Sequence, residues 1–185
     1  MWLNQRNLEI LKYILIFFLI TGCLETCNAQ FIGSGKKNLI LKNSILQKIP
    51  IRFPVDMKGF KRLSSGYGMR IHPILKRKKF HYGLDLSAKK GTAIYASAAG
   101  KITSARYSSS YGNYVIIKHE SGYSTLYGHM MKKIVKKNQD VKQGDIIGYV
   151  GSTGRSTGPH LHFEIIQSNK KIDPIRFWKK LIKRG

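Results

Sequence analysis

From Ile51 onward the chain is written in short apolar runs separated by Gly, Ser and Asn every eight to twelve residues. That rhythm predicts an all-β domain, because strands of a few residues alternate with turn formers. The runs Gly91–Ala96, Gly100–Thr103, Tyr114–His119, Tyr123–His129 and Lys142–Gly151 each read as a strand or a strand plus turn. The stretch His160-Leu161-His162-Phe163-Glu164-Ile165-Ile166 alternates polar and apolar positions, and on a strand residues i and i+2 face the same side. His160 and His162 therefore point into one place. Two convergent imidazoles suit a metal pair, or one ligand beside one acid/base group; a polar pair on the wet face of a strand would look the same. The tail Ile172–Trp178 reads as a closing turn, with Phe177 and Trp178 packing onto the domain edge.

Other polar residues interrupt the apolar pattern at defined points. In Ser64–Pro73 two glycines flank Tyr67, which predicts a tight loop whose backbone approaches something closely. His72 precedes a proline and is biased to an extended conformation; it reads as a side chain bonded to its own loop. His81 and Asp85 stand four apart in Phe80–Ser87. Gly83 and the Leu-Asp-Leu alternation favour strand, where i and i+4 share a face. One imidazole nitrogen and one carboxylate oxygen could then reach a common ion at roughly 2.0 to 2.2 Å, the lengths normal for zinc. A cap or local salt bridge at Asp85, with a solvated His81, is the alternative.

His119 precedes the turn Glu120-Ser121-Gly122 and reads as structural. His129 follows Gly128, which clears space at a strand end, and gains a function only if it converges with the other histidines. Ser152–Pro159 reads as a flexible loop delivering the chain into the histidine strand. Glu164 shares the parity of His162, so it either fixes an imidazole tautomer or, the favoured reading, makes a structural pairing. Tyr127 and Tyr67 are candidates for orienting a substrate.

The amino terminus has a different texture. Arg6 and Lys12 precede the apolar run Tyr13–Ile20, and small and polar residues follow. Residues 1–29 have the three-part shape of a secretory signal, with an apolar run too short to span a bilayer comfortably. Export to the cell envelope, periplasmic or extracellular, is expected. Ile20-Thr21-Gly22-Cys23 resembles a lipobox that would lipidate Cys23, and Cys27-Asn28-Ala29 before Gln30 resembles an ordinary cleavage site, the favoured one. Membrane contact is expected only through a lipid on Cys23. Both cysteines, Cys23 and Cys27, lie in this segment, so the mature domain has no disulfide and offers a metal only His, Asp and Glu. Residues 30–50 read as a tether with one short helix, and residues 51–185 as the functional domain.

The chain has 185 residues, which suits one domain with a core. Its 33 Lys plus Arg against 9 Asp plus Glu give a net charge of +24, which favours polyanionic surroundings. Nucleic acid is not expected as a partner, because the bases are scattered, mostly lysine, and not interleaved with aromatics. An anionic cell envelope suits the charge better. Nothing in the sequence specifies an oligomeric state.

Four stretches together carry a resemblance: Ser65-Gly66-Tyr67-Gly68 with Arg70 and His72-Pro73, then Phe80–Asp85, then Leu126-Tyr127-Gly128-His129, then Gly158–Glu164. In order and spacing they resemble the lysostaphin and LytM-type zinc metallopeptidases, cell-wall endopeptidases of the duplicated hybrid motif fold, over roughly residues 52 to 178. The resemblance implies a small antiparallel β-sheet or sandwich domain with a metal-containing groove. It implies one Zn2+ held by His81, Asp85 and His162, with His129 and His160 as unligated catalytic histidines. Three protein ligands leave zinc's fourth position open, which separates catalytic from structural sites. The expected activity is hydrolysis of peptide cross-links or stem peptides of peptidoglycan. The alternative is a non-catalytic wall-binding module or amidase activator on the same fold, although relatives of that kind typically lack ligands that this chain retains. Ala93 stands where the family often has proline, and Lys76-Arg77-Lys78-Lys79 makes the loop before His81 unusually basic.

Overall fold

The computed structural model describes residues 44–182; the leader, its two candidate cleavage sites and the tether up to residue 43 lie outside the described residues. A single helical turn covers residues 44–47. The chain divides into two compact units, and Gln47–Pro174 is the one that carries the strands.

The architecture is all-β, as the turn-punctuated apolar runs predicted, and every strand pairing among the described residues is antiparallel, as the resemblance implied. Among the described residues twelve strands follow in chain order: β1 Phe60–Ser65, β2 Gly68–Ile71, β3 Lys78–His81, β4 Leu84–Ala88, β5 Ala93–Tyr95 and β6 Gly100–Ser108, then β7 Gly112–Lys118, β8 Tyr123–Lys133, β9 Asp140–Val141, β10 Ile146–Val150, β11 His160–Gln167 and β12 Lys170–Ile172. Ten of them form one sheet whose main path runs β1-β4-β11-β8-β7-β6-β9, while β2 and β3 form a separate hairpin. The closing turn expected at the tail is instead helix α1, Pro174–Ile182. Asp173 and Pro174 supply the residue types favoured at the N-cap and first helical position, and Lys179 and Lys180 complement the last turn.

β11 runs between β4 and β8 and sets the position of the site. Leu161, Phe163 and Ile165 are fully buried on its core face, and Phe163 packs on Tyr127 with ring centroids 5.4 Å apart. His160, His162 and Glu164 take the opposite face. In the register His162 stands across from Asp85 on β4 and Gly128 on β8. Burial of the apolar parity therefore fixes which way the histidines point, since a slip of one residue would exchange the faces.

Two departures from regular strand complete the site. The pair His81 and Asp85 does not lie on one continuous strand: the chain leaves the β2-β3 hairpin at His81 and joins the large sheet at Leu84. Gly83 makes that crossing possible, because a Cβ there would lie 2.4 Å from the Phe163 carbonyl oxygen. The second departure is His129, which has φ 58° and belongs to none of the ladders that β8 makes with β11, β7 and β10. Its backbone N–H goes instead to the Tyr111 carbonyl at 2.7 Å. A bulge of this kind re-aims a side chain.

Candidate active site

His81, Asp85, His129, His160 and His162 are brought together in the lining of one cleft of about 310 Å³. Asp85 Oδ1 lies 3.1 Å from His81 Nε2 and 3.0 Å from His162 Nδ1, and the two nitrogens are 3.1 Å apart. All three residues are buried. The other nitrogen of each ligand-like imidazole has a partner that dictates its proton. His81 Nδ1–H donates to the Gly66 carbonyl at 2.7 Å. The close approach expected to require the flanking glycines is not seen, since a Cβ at Gly66 or Gly68 would meet nothing within 4 Å; Gly68 serves instead a left-handed backbone at φ +131°. His162 Nε2–H donates to Glu164 Oε1 at 3.0 Å.

Both remaining lone pairs then face each other and the Asp85 oxygen, so three acceptors converge without a donor between them. A cation satisfies this arrangement. The sides of the triangle lie slightly inside the roughly 3.3 Å separation of ligand atoms around tetrahedral zinc with bonds of about 2.0 to 2.1 Å. Electrostatics point the same way. Burial by itself would raise the Asp85 carboxyl, but His162 and His81 beside it hold it far below the usual carboxylate range. Burial would lower His162, yet Asp85 and Glu164 raise it. Asp85 thus stays ionised beside the two imidazoles.

His129 and His160 flank the triangle with their rings 4.7 Å apart. His129 Nδ1–H donates to the Thr153 carbonyl at 2.8 Å and His160 Nδ1–H to the Gly158 carbonyl at 2.8 Å. Each ring is left with Nε2 free, and that of His160 is 3.6 Å from Asp85 Oδ1. Burial pushes His129 down to about 4, so it is neutral near pH 7. The carbonyls that orient both rings come from the segment 152–159. It is pinned rather than flexible: Thr153 Oγ1 donates to the Met130 carbonyl at 2.8 Å, the Ser152 and Ser156 hydroxyls are 2.9 Å apart, and Ser156 Oγ donates to the Gly158 carbonyl at 2.9 Å.

Glu164 does more than the structural pairing favoured for it. Its Oε1 receives His162 Nε2–H at 3.0 Å, the Tyr111 hydroxyl at 3.0 Å and Lys171 Nζ at 3.1 Å. Lys171 also donates to the Tyr111 oxygen at 2.9 Å. On the other side of the centre Arg70 Nη2 holds Asp85 Oδ2 at 2.9 Å. Tyr111 and Lys171 carried no sequence signal: Tyr111 precedes β7, far along the chain from Glu164, and Lys171 is brought back to Glu164 only by the β11-β12 hairpin. Arg70 stood in a motif but had no assigned task.

Other expectations divide. His72 bonds its own loop as predicted, with Nδ1 accepting from the N–H groups of Ile74 and Leu75 at 3.2 Å. His119 is structural: it is buried, with Nδ1–H donating to the Ala99 carbonyl and Nε2 against Thr125 Oγ1, both at 2.9 Å. Tyr127 is fully buried in the core, its hydroxyl accepting from Ser97 N–H at 2.9 Å, so it touches no substrate. Tyr67 donates to the Lys171 carbonyl at 2.9 Å. The tyrosines that line the cleft are Tyr82 and Tyr111.

The chain is 42% identical over 123 residues to the DD-carboxypeptidase/endopeptidase Mpg of Neisseria meningitidis, covering 66% of this chain and 28% of that protein. Peptidoglycan DD-endopeptidase ShyA of Vibrio cholerae is 42% identical over 132 residues, covering 71% of this chain and 30% of that protein. The chain thus spans under a third of the length of these relatives. Among solved structures, a zinc-containing peptidase from Vibrio cholerae superposes with a TM-score of 0.62 at 40% identity, over 66% of this chain and 38% of that one. The catalytic domain of lysostaphin from Staphylococcus simulans gives 0.59 at 38% identity, over 65% of this chain and 92% of that one. The model of peptidase family M23 matches residues 79–174, just over half of the chain and every residue of the five-member site. With that match laid over a convergent His, Asp and His triangle, this chain belongs to peptidase family M23.

Proposed function

We propose that the protein is an exported zinc metalloendopeptidase that hydrolyses peptide cross-links or stem peptides of bacterial peptidoglycan. The observation that carries this reading is the convergence of three acceptor atoms, on His81, Asp85 and His162, beside two imidazoles whose Nε2 atoms are free. In this reading His81, Asp85 and His162 hold the zinc ion, and Arg70 and Glu164 orient the Asp85 carboxylate and the His162 ring. Bound there, zinc supplies Lewis acidity, which lowers the pKa of water and polarises a carbonyl oxygen.

The protein's own groups do the rest. His129, neutral near pH 7 because it is buried, can accept a proton at Nε2. His160, fixed by the Gly158 carbonyl, offers the second Nε2 for ordering water or donating to the leaving amine. The pinned segment 152–159 holds both rings, so neither has to be ordered when substrate arrives. Relatives that act on peptidoglycan support the substrate class. The leader 1–29 and tether 30–50 would carry a peptidase domain, 51–185, to the envelope.

The test is digestion of purified peptidoglycan by the purified chain, with products identified by mass spectrometry. New amino termini that vanish with chelator and in His81→Ala are expected. No new termini, or cleavage indifferent to both treatments, would overturn the proposal.

A further inference from the structure

The cleft beside the candidate metal centre is lined by the cationic side chains of Arg70, Lys79 and Arg155. Both of its carboxylates are committed, Asp85 to Arg70 at 2.9 Å and Glu164 to Lys171 at 3.0 Å. Lys79 and Arg155 line the same cleft, and neither side chain has an acidic partner among the described residues. His72, which also lines it, registers their field: burial lowers its pKa first, and Lys79, Arg70 and Arg155 lower it further. Three cations from β2, β3 and the 152–159 segment therefore share one region. The neutral His72 ring, with Nδ1 accepting from the N–H groups of Ile74 and Leu75, keeps its proton on Nε2 and adds a donor.

Arg155 is not a loosely held surface charge. Its backbone N–H donates to the Ser110 carbonyl at 3.2 Å. The preceding Gly154 has φ +71° and packs so closely on Gly112 that a Cβ would lie 2.2 Å from its nitrogen. The segment that presents the guanidinium is the one that supplies the Thr153 and Gly158 carbonyls to His129 and His160. A charge fixed to the same short segment as both imidazoles can position a substrate relative to them. A guanidinium also suits a carboxylate, which it binds through two parallel hydrogen bonds.

We propose that Arg155, with Lys79 and the free edge of Arg70, forms a carboxylate subsite that holds an acidic group of the peptide substrate beside the scissile bond. Acidic peptides, rather than neutral glycine-rich ones, are then the preferred substrates. A second cavity of about 290 Å³ shares Ser64, Thr157 and His160 with the first and is lined by Lys61, Arg62, Lys89 and Lys90. The groove thus continues past His160 over an equally basic surface, as a peptide with carboxylates on both sides of the cut would need.

The inference rests on the peptidase reading, and its test separates the two. The substrates are a cross-linked muropeptide dimer with free carboxylates and the same dimer with those groups converted to carboxamides. For the full chain, kcat/KM on the acid dimer is expected to exceed that on the amidated one by at least about tenfold, the size of one charge-assisted hydrogen bond, chiefly through KM. Arg155→Gln should bring that ratio toward one, whereas Lys136→Gln, on the exposed surface away from the cleft, should not. A ratio unchanged by Arg155→Gln, or reduced equally by both variants, would show only the general pull of a basic protein and overturn the subsite. If neither dimer is cut, the peptidase proposal fails and the subsite is decided by titrating fluorescently labelled dimers against the same proteins. Preference for the acid dimer that is lost in Arg155→Gln supports it, and equal binding overturns it.

Discussion

Glu164→Gln separates the two tasks that this buried side chain could have. Glu164 is only 1% exposed, and its Oε1 takes three donors: His162 Nε2, the Tyr111 hydroxyl and Lys171 Nζ. A glutamine carbonyl at that position keeps all three, with its NH2 group in place of Oε2, which is 3.0 Å from Lys171 Nζ. The His162 tautomer survives, while the negative charge behind it is lost and the new NH2 faces the Lys171 ammonium donor to donor. Loss of such a partner lowers metal affinity by about 10- to 100-fold. Because the substitution preserves the hydrogen bond, the low end is expected: about tenfold, or about 1.4 kcal/mol. Glu164→Ala also removes the acceptor and should reach the upper end. The fold suffers separately, since breaking a buried ion pair costs about 3 to 5 kcal/mol. The Lys171 side chain is 31% exposed, so water offsets much of this, leaving about 1 to 2 kcal/mol. Zinc affinity is read by competition with a fluorescent chelator, and stability by urea unfolding of the metal-stripped chain. If Glu164→Gln lowers stability but leaves zinc affinity at the wild-type value, Glu164 is only a structural pairing and the reasoning fails.

Three further outcomes follow from the geometry. His162→Ala is expected to lose zinc and activity together, whereas His160→Ala keeps stoichiometric zinc by elemental analysis and loses peptidoglycan cleavage; equal loss of metal from both would refute the division of roles. Gly83→Ala places a Cβ 2.4 Å from the Phe163 carbonyl, so the crossing between His81 and Asp85 must shift. Unfolding should show a loss of about 1 to 3 kcal/mol with weaker zinc binding, and wild-type values for both would show that the crossing is not sterically set. His119 is lowered from 6.5 by burial. Its folded pKa lies below the unfolded one, so the unfolded chain binds more protons and stability present above pH 6.5 is lost as pH falls. Urea melts at pH 7.5 and pH 5 should show a smaller acid loss for His119→Gln than for wild type, and identical losses would remove His119 from the account.

The parts of the site that were legible in the sequence are those that regular strands produce. The period of two in β11 separates Leu161, Phe163 and Ile165 from His160, His162 and Glu164, and burial of the first set orients the second. Strand parity is a property of neighbours in sequence, so it can be read before folding. The partners of Glu164 cannot, because Tyr111 and Lys171 reach it only after β11 has paired with β12 and β7 has closed against β8. Parity also fails where it is most tempting. In β8, Tyr127 and His129 are two apart, so an unbroken strand would send both to one face. The register sets Tyr127 across from Phe163 on the core face and Gly128 across from His162 on the site face. By that rule His129 belongs in the core with Tyr127. The left-handed backbone at His129 breaks the rule and returns its ring to the site, where the Thr153 carbonyl receives its Nδ1–H. A flat strand supplies groups in a row, while a metal centre with flanking acid/base groups needs them to converge. The convergence comes from the two irregularities, the crossing at Gly83 and the bulge at His129, and each exists only because a distant segment, Phe163 for one and Tyr111 with Thr153 for the other, is packed against it.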